Sequence, residues 1–398
     1  MRESYVLKVN LASVINALLF FYILSTYLFS FKTETTFISN IIALLLMGFI
    51  WFYLLINRKS IEFNGFLILY IIFILIALIS IFYAINQYTA LSKVKTLILL
   101  FCLMLSLTNY IDSLEKLRKI LIYFVYSGFI SSIYIIFVSD LKHIDRFGNE
   151  LGNVNAIGTI LSISAVICFY FIVTEKGKLF IFLFLIMFMV ILLTGSRTAL
   201  LFMIINIFLY LYLINRKKIS DKIKFCILSV FIILISVYLI FNVPILYQVM
   251  GSRVEDMLSF IGGESITEKS LNVRAYMVEF GIEMFKNRPS GYGIDNYRYL
   301  LGESLISEVT YSHNNFIELL LGVGIFGVIT FYLLQIMVIK KLFRYNAKTE
   351  LGYVFIVLLI SYMILSVSTI YYDSKHFSII IAAGSIVGKI IKSEPRDL

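Results

Sequence analysis

Apolar residues run along this 398-residue chain in long blocks separated by short polar joints. A helix needs about 20 mainly apolar residues to cross a bilayer's hydrocarbon core. Blocks of that kind lie at 10–31, 36–56, 64–84, 94–110, 119–138, 153–174, 178–194, 198–215, 223–243, 313–339, 351–371 and 376–391. The pattern predicts an all-α polytopic membrane protein with twelve transmembrane helices, one membrane domain over 1–398. The joint Thr194-Gly195-Ser196-Arg197-Thr198 is the least defined. It reads equally as a turn between two spans or a break within one bent span. One segment departs from the pattern: residues 244–312, a polar loop of 69 residues between the ninth and tenth spans. Loops of that length usually carry function. Within it Val273, Met277, Phe280 and Met284 recur at helical spacing, predicting an amphipathic helix over 273–285 with Ser270 or Asn272 as its N-cap. Its apolar stripe is expected to pack on the membrane domain.

Composition agrees with lipid as the solvent. The chain is 60% hydrophobic, more than a soluble core needs. The first apolar block has no small-residue cleavage site and reads as a retained span, not a signal peptide. The net charge of +10 would suit nucleic acid, but its distribution points to a membrane and no nucleic-acid partner. With both termini inside, 21 lysines and arginines fall on inner segments and 7 on short outer loops, so the positive-inside rule selects N-in, C-in. The long loop is then extracytoplasmic, and its six cations (Arg253, Lys269, Arg274, Lys286, Arg288 and Arg298) do not count against that orientation, because long loops translocate regardless of charge. All three histidines, His143, His313 and His376, fall on the same outer side, as do Arg146, Arg197 and Arg274. Cys102, Cys168 and Cys226 lie within apolar runs and read as small buried hydrophobes, not disulfides. No internal repeat of the transporter type is evident.

His313 follows Tyr311-Ser312 where the long loop turns into an apolar helix, with Ser312 as an N-cap candidate. In a first helical turn the helix dipole disfavours imidazolium, leaving the neutral ring that a general base needs. A lone histidine here would only anchor a helix end; Asn314, Asn315 and Glu318 beside it favour a site. Arg197, between two apolar runs, either snorkels to the interface or serves a substrate. Arg274 sits near a helix start, where the dipole opposes it, so another demand is expected to hold it there. Pro289-Ser290-Gly291-Tyr292-Gly293 is a plain surface turn or a place where backbone approaches a ligand. Arg146 and Asn155, in the polar stretch before the sixth span, belong to a helix cap or a polar cleft. Three arginines and a histidine on one face fit a diphosphate-linked substrate, because guanidinium binds phosphate with a rigid, always-charged fork. The outer loops contain neither an Asp-x-Asp pair nor His-Glu-x-x-His, which argues against a metal-dependent transferase. No metal site and no cofactor is expected.

Thr194-Gly195-Ser196-Arg197-Thr198, the large outer loop with Arg274 and Pro289-Ser290-Gly291-Tyr292-Gly293, and His313-Asn314-Asn315-Phe316-Ile317-Glu318-Leu319-Leu320 followed by Gly322-Val323-Gly324-Ile325-Phe326-Gly327 together resemble the O-antigen ligase and polysaccharide polymerase family of membrane glycosyltransferases. The motifs span about 150–327. The resemblance implies metal-independent, inverting transfer of a glycan from an undecaprenyl diphosphate lipid to an acceptor glycan, on the outer face of the bacterial inner membrane. It implies His313 as the base and Arg197 and Arg274 as the diphosphate clamp. Arg146, Asn155, Asn314, Glu318, Gly291 and Gly293 are the expected substrate-binding residues. Chain-length regulator and flippase proteins are the implied protein partners. Asn287-Arg288-Pro289-Ser290 lacks the apolar residue usual after the proline, which weakens any role for Ser290. Polymerases join repeat units and ligases move finished chains to lipid A core or protein. A composition rich in Ile, Lys, Asn, Phe and Tyr, typical of AT-rich polysaccharide gene clusters, favours polymerase. A transporter or flippase would instead carry ionisable residues in mid-span along a two-sided path, and a pure scaffold would make none of the arginines matter.

Overall fold

The computed structural model describes residues 2–32, 34–139, 146–214, 219–252, 254–255, 259, 269–302, 310–346 and 349–393. His143 and Arg253 lie outside the described residues, as does the side chain of Cys226. The described residues form helices and no strand. In order they are α1 (Arg2–Leu28), α2 (Thr36–Ile56), α3 (Gly65–Ile81), α4 (Gln87–Tyr110), α5 (Leu114–Val138), α6 (Val154–Glu175), α7 (Lys178–Leu193), α8 (Arg197–Ile214), α9 (Ile219–Asn242), α10 (Pro244–Leu246), α11 (Lys269–Asn287), α12 (Tyr297–Gly302), α13 (Asn315–Asn346), α14 (Glu350–Leu365) and α15 (Lys375–Ser393). The chain is an all-α polytopic membrane protein.

Every apolar block of the sequence coincides with one of these helices. Among the described residues eight are long and apolar enough to cross a membrane by themselves. A ninth crossing would need Leu234–Asn242 and Pro244–Gly251 together, and those two are bent by 94°. The apolar helices α3, α7 and α14 have only 16 or 17 residues. At 1.5 Å per residue they reach about 25 Å, short of the ~30 Å core. The blocks 64–84 and 351–371 are longer than their helices because the chain leaves α3 after Ile81 and α14 after Leu365 to build loops. The joint at 194–198 is a break of three residues between two separate helices, with Gly195 at φ +61°. Of the cysteines, Cys168 is buried and Cys102 is only half-buried.

Helix α6 packs on α5, α7 and α8 and is buried along most of its length. Its small residues allow close approach: a Cβ added at Gly158 would stand 2.9 Å from the Cβ of Ala199, and the Ser162 hydroxyl donates to the Ala199 carbonyl at 2.8 Å. At one end of the bundle the C-terminal ends of α1 and α14 meet the N-terminal ends of α2, α4, α6 and α15. The starts of α8 and α13 join them there.

The long loop is largely helical where described. Helix α11 begins at Lys269, so Ser270 and Asn272 are inside it and neither is its cap. No glycine or proline lies between 269 and 272 to stop the helix earlier. Its stripe packs as expected: Met277 is buried against Tyr297 and Leu301 of α12 and Ile317 and Leu321 of α13, with Val273, Phe280 and Met284 alongside. The turn after α11 plugs into a kink of α13. Gly324 there has φ +69°, ψ −174°, and a Cβ on it would lie 2.9 Å from the Pro289 carbonyl oxygen. The Tyr292 amide donates to the Leu321 carbonyl at 2.6 Å, and the Asn296 side chain accepts from the Asn86 amide at 2.6 Å.

Candidate functional site

The approach to α13 is held by side chains, not by helix. Asn314 caps α13, its Oδ1 accepting from the amides of Phe316 at 2.9 Å and Ile317 at 3.1 Å. Ser312 is therefore not the cap; its hydroxyl instead donates to the Asn314 carbonyl at 2.7 Å. Both residue types suit a cap, and Asn314 takes the place because it directly precedes the first helical residue. His313 precedes the helix and adopts a left-handed backbone, φ +53°. It is not in the first turn, so the helix dipole is not what keeps its ring neutral. Burial, followed by the charge of Arg274, pushes the imidazole down to about 4 from its ordinary 6.5.

His313 and Arg274 line one small cleft, with Asn155, Thr159, Thr198 and Tyr311 among its other walls. The cleft encloses about 20 Å³, room for roughly one water. The Tyr311 ring stands 4.2 Å from the imidazole, centroid to centroid. The helices that supply these groups are far apart in sequence: α6 gives Asn155 and Thr159, α8 gives Thr198, and α11 gives Arg274.

Arg146 serves the cleft through Asn155. Its Nη2 donates to Asn155 Oδ1 at 2.7 Å and its Nε to the Thr194 carbonyl at 2.7 Å. One guanidinium thus ties the α7–α8 joint to the side chain that lines the cleft. Arg197 is half-buried at the first position of α8, next to Thr198, and is not among the lining residues.

The remaining expected substrate-binding residues hold the fold together. Glu318 is buried and accepts from the Ser312 amide at 3.0 Å, bracing the turn that carries His313. Asn314 is the cap described above. Gly291 and Gly293 have φ +86° and +98°, and their close approach is to protein backbone: an added Cβ would lie 2.7 Å from the Leu321 carbonyl oxygen and 2.3 Å from Ala84 Cβ, respectively. None of these four lines the cleft.

Two features were not singled out by the sequence pattern. Tyr311 and Asn153 form a wall of the cleft, joined by a hydrogen bond of 2.5 Å from the Asn153 amide group to the tyrosine oxygen. Their signal was adjacency, Tyr311 to His313 and Asn153 to Asn155. The second is a charged cluster around Lys93, Asp295, Asp373 and Lys375, whose members come from three separate stretches of chain. His376, by contrast, is a buried packing residue: it lies edge-on to Tyr27 at 4.9 Å, and its Nε2 is 2.8 Å from the Thr26 hydroxyl. Among the described residues no three His, Cys, Asp or Glu side chains converge as metal ligands.

A membrane-embedded helical bundle with a histidine–arginine cleft at one end is thus the class of protein that fold and site define. Residues 182–332 match a family model described as O-antigen ligase, and this supports the O-antigen ligase/polymerase family. The matched segment contains Arg197, Arg274 and His313 together with the kinked start of α13. No curated protein matches the chain. The match supports function of the ligase or polymerase type, and members of the matched family are glycosyltransferase-like enzymes.

Proposed function

We propose that the chain is a polysaccharide repeat-unit polymerase of the bacterial inner membrane, working on the extracytoplasmic side. The observation that carries this is the convergence of His313 and Arg274 on one cleft within the matched segment. In the reaction, neutral His313 takes the proton from an acceptor sugar hydroxyl. The freed oxygen attacks the anomeric carbon of the donor glycan from the face opposite the leaving group. The bond from that carbon to the diphosphate oxygen breaks, and the undecaprenyl diphosphate leaves with the electron pair, with inversion. Arg274 holds the charge that develops, and Arg197, one residue before a cleft wall, is its partner on the diphosphate. A bound diphosphate offsets the field of Arg274 and so strengthens His313 as a base when substrate is present. Asn155, braced by Arg146, and Tyr311 orient the acceptor. No metal or cofactor takes part in this scheme.

The orientation rests on charge. Arg58, Lys59, Lys116 and Lys389 gather at the opposite end of the bundle, as expected for the cytoplasmic side. A chain-length regulator and a flippase would be the functional neighbours, one setting when transfer stops and the other supplying lipid-linked units. The description of the matched family favours a second reading, transfer of finished glycan to lipid A core or protein by the same residues. The test is the length distribution of surface polysaccharide in a strain deleted for the gene and complemented with wild type or Arg274→Ala. Single repeat units attached at the surface identify a polymerase; full-length chains stranded on the lipid carrier identify a ligase; an unchanged ladder refutes both.

A further inference from the structure

A second, larger cleft of about 340 Å³ opens beside the His313 cleft, and the two share Ala156, Thr159 and Thr369 as walls. That volume lies in the range of small-ligand sites. Lys93 and Lys375 line it, with Asp373 between them in the chain. The charges there do not balance. Lys93 is bonded to Asp373 at 2.5 Å and lies 3.5 Å from Asp295, which in turn takes a bond from Arg298 at 2.6 Å. Both carboxylates are therefore committed. Lys375 donates to the Ser39 hydroxyl and, among the described residues, makes no ion pair. Among the residues that line the cleft, two lysines face one carboxylate, Asp373, which leaves one positive charge, centred on a part-buried ammonium in a cleft with room for a ligand. A charge held in such a place is costly without an anionic partner.

We propose that this cleft binds a second prenyl-linked diphosphate, that of the acceptor unit, with Lys375 as its principal contact. This rests on the polymerase reading. Polymerisation brings two diphosphate-linked lipids to one centre, so it needs two anion sites; transfer to an acceptor without a carrier needs one. Arg274 and Arg197 serve the donor. The Lys375 cleft, separated from the base by one shared wall, then places the acceptor sugar towards His313. A lysine suits this task, because a compact ammonium on a flexible stem tolerates a ligand that must advance after every transfer.

The test uses the full-length protein in phosphatidylcholine nanodiscs with radiolabelled farnesyl diphosphate as probe. Wild type is expected to bind two equivalents, Lys375→Gln and Arg274→Gln one each, and Lys375→Arg two. Gln keeps a hydrogen bond to Ser39 and removes the charge, and the wild-type stoichiometry is informative whether or not that variant folds. Two equivalents in folded Lys375→Gln overturn the proposal. One equivalent in wild type, lost in Arg274→Gln, overturns it while leaving the polymerase or ligase reading standing; none in wild type overturns both. Displacement of the Lys375-dependent equivalent by phosphatidylglycerol nanodiscs or by inorganic phosphate assigns the site to a headgroup or free phosphate and overturns the acceptor role.

Discussion

Tyr311 packs its ring 4.2 Å from the imidazole of His313, tilted by 48°, while its hydroxyl accepts from Asn153 at 2.5 Å. One side chain therefore walls the base and ties it to the start of α6. Tyr311→Phe keeps the wall and loses the tie, and should slow single-turnover transfer about fivefold, corresponding to about 1 kcal/mol for one hydrogen bond. Tyr311→Ala removes both and should cost ~100-fold, the scale on which misplacing a reacting group slows a reaction. Equal rates for the two variants would show that the ring does not matter.

Arg146 and Asn155 should behave as a unit. The guanidinium uses two differently directed N–H groups, one for Asn155 and one for the Thr194 carbonyl. Lysine cannot reproduce that fork, so Arg146→Lys is expected to resemble Arg146→Ala in kcat/KM. A double-mutant cycle of Arg146→Ala with Asn155→Ala should give a coupling of about 1–2 kcal/mol. Additive losses would mean that Arg146 acts independently of Asn155.

The His313 imidazole should titrate near 4 in the substrate-free protein, because burial and Arg274 both oppose the charged form. With the folded value below the unfolded 6.5, the unfolded chain binds more protons between those limits. Stability is then fully present above the unfolded value and falls as pH drops towards about 4, by on the order of 3 kcal/mol at most from this group. Nitrogen-15 spectra of histidine-labelled protein can follow it, since the chain has only 3 histidines. Arg274→Gln should raise the value. A wild-type titration at or above 6.5 would contradict the environment described here.

Periodicity made the helices legible, and the stripe of Val273, Met277, Phe280 and Met284 packs as its spacing implies. What stayed hidden depended on partners distant in the chain. Glycines at positive φ allow close approach to a ligand or to backbone alike, and only the fold shows that Gly291 meets the carbonyl of Leu321. Ser312 and Asn314 are both good caps, and which one serves depends on where the helix begins. The bond from Lys93 to Asp373 joins residues 280 positions apart, beyond any local pattern. Charge and orientation place His313 and Arg274 on one face, and only the fold shows that they line one cleft while Asn314 and Glu318 bond within the histidine turn.

Gly324 tests that scaffold. Alanine there would have to adopt φ +69° and would bring a Cβ within 2.9 Å of the Pro289 carbonyl oxygen. Gly324→Ala should lower the detergent melting midpoint, by about 2–3 kcal/mol in stability, and should reduce transfer although it touches no cleft residue. Gly48→Ala, at an open position, is the matched control. Loss confined to neither variant would show that the turn at 289–296 does not depend on the kink.

Purified full-length protein in vesicles, given a lipid-diphosphate-linked repeat unit as the only sugar, reports directly on His313 as the base. Wild type should build a ladder of products and release one lipid diphosphate for each glycosidic bond. His313→Ala should slow this by at least ~100-fold, the usual scale of a general base, while still binding prenyl diphosphate. A His313→Ala protein that polymerises at the wild-type rate would contradict the assignment of the base.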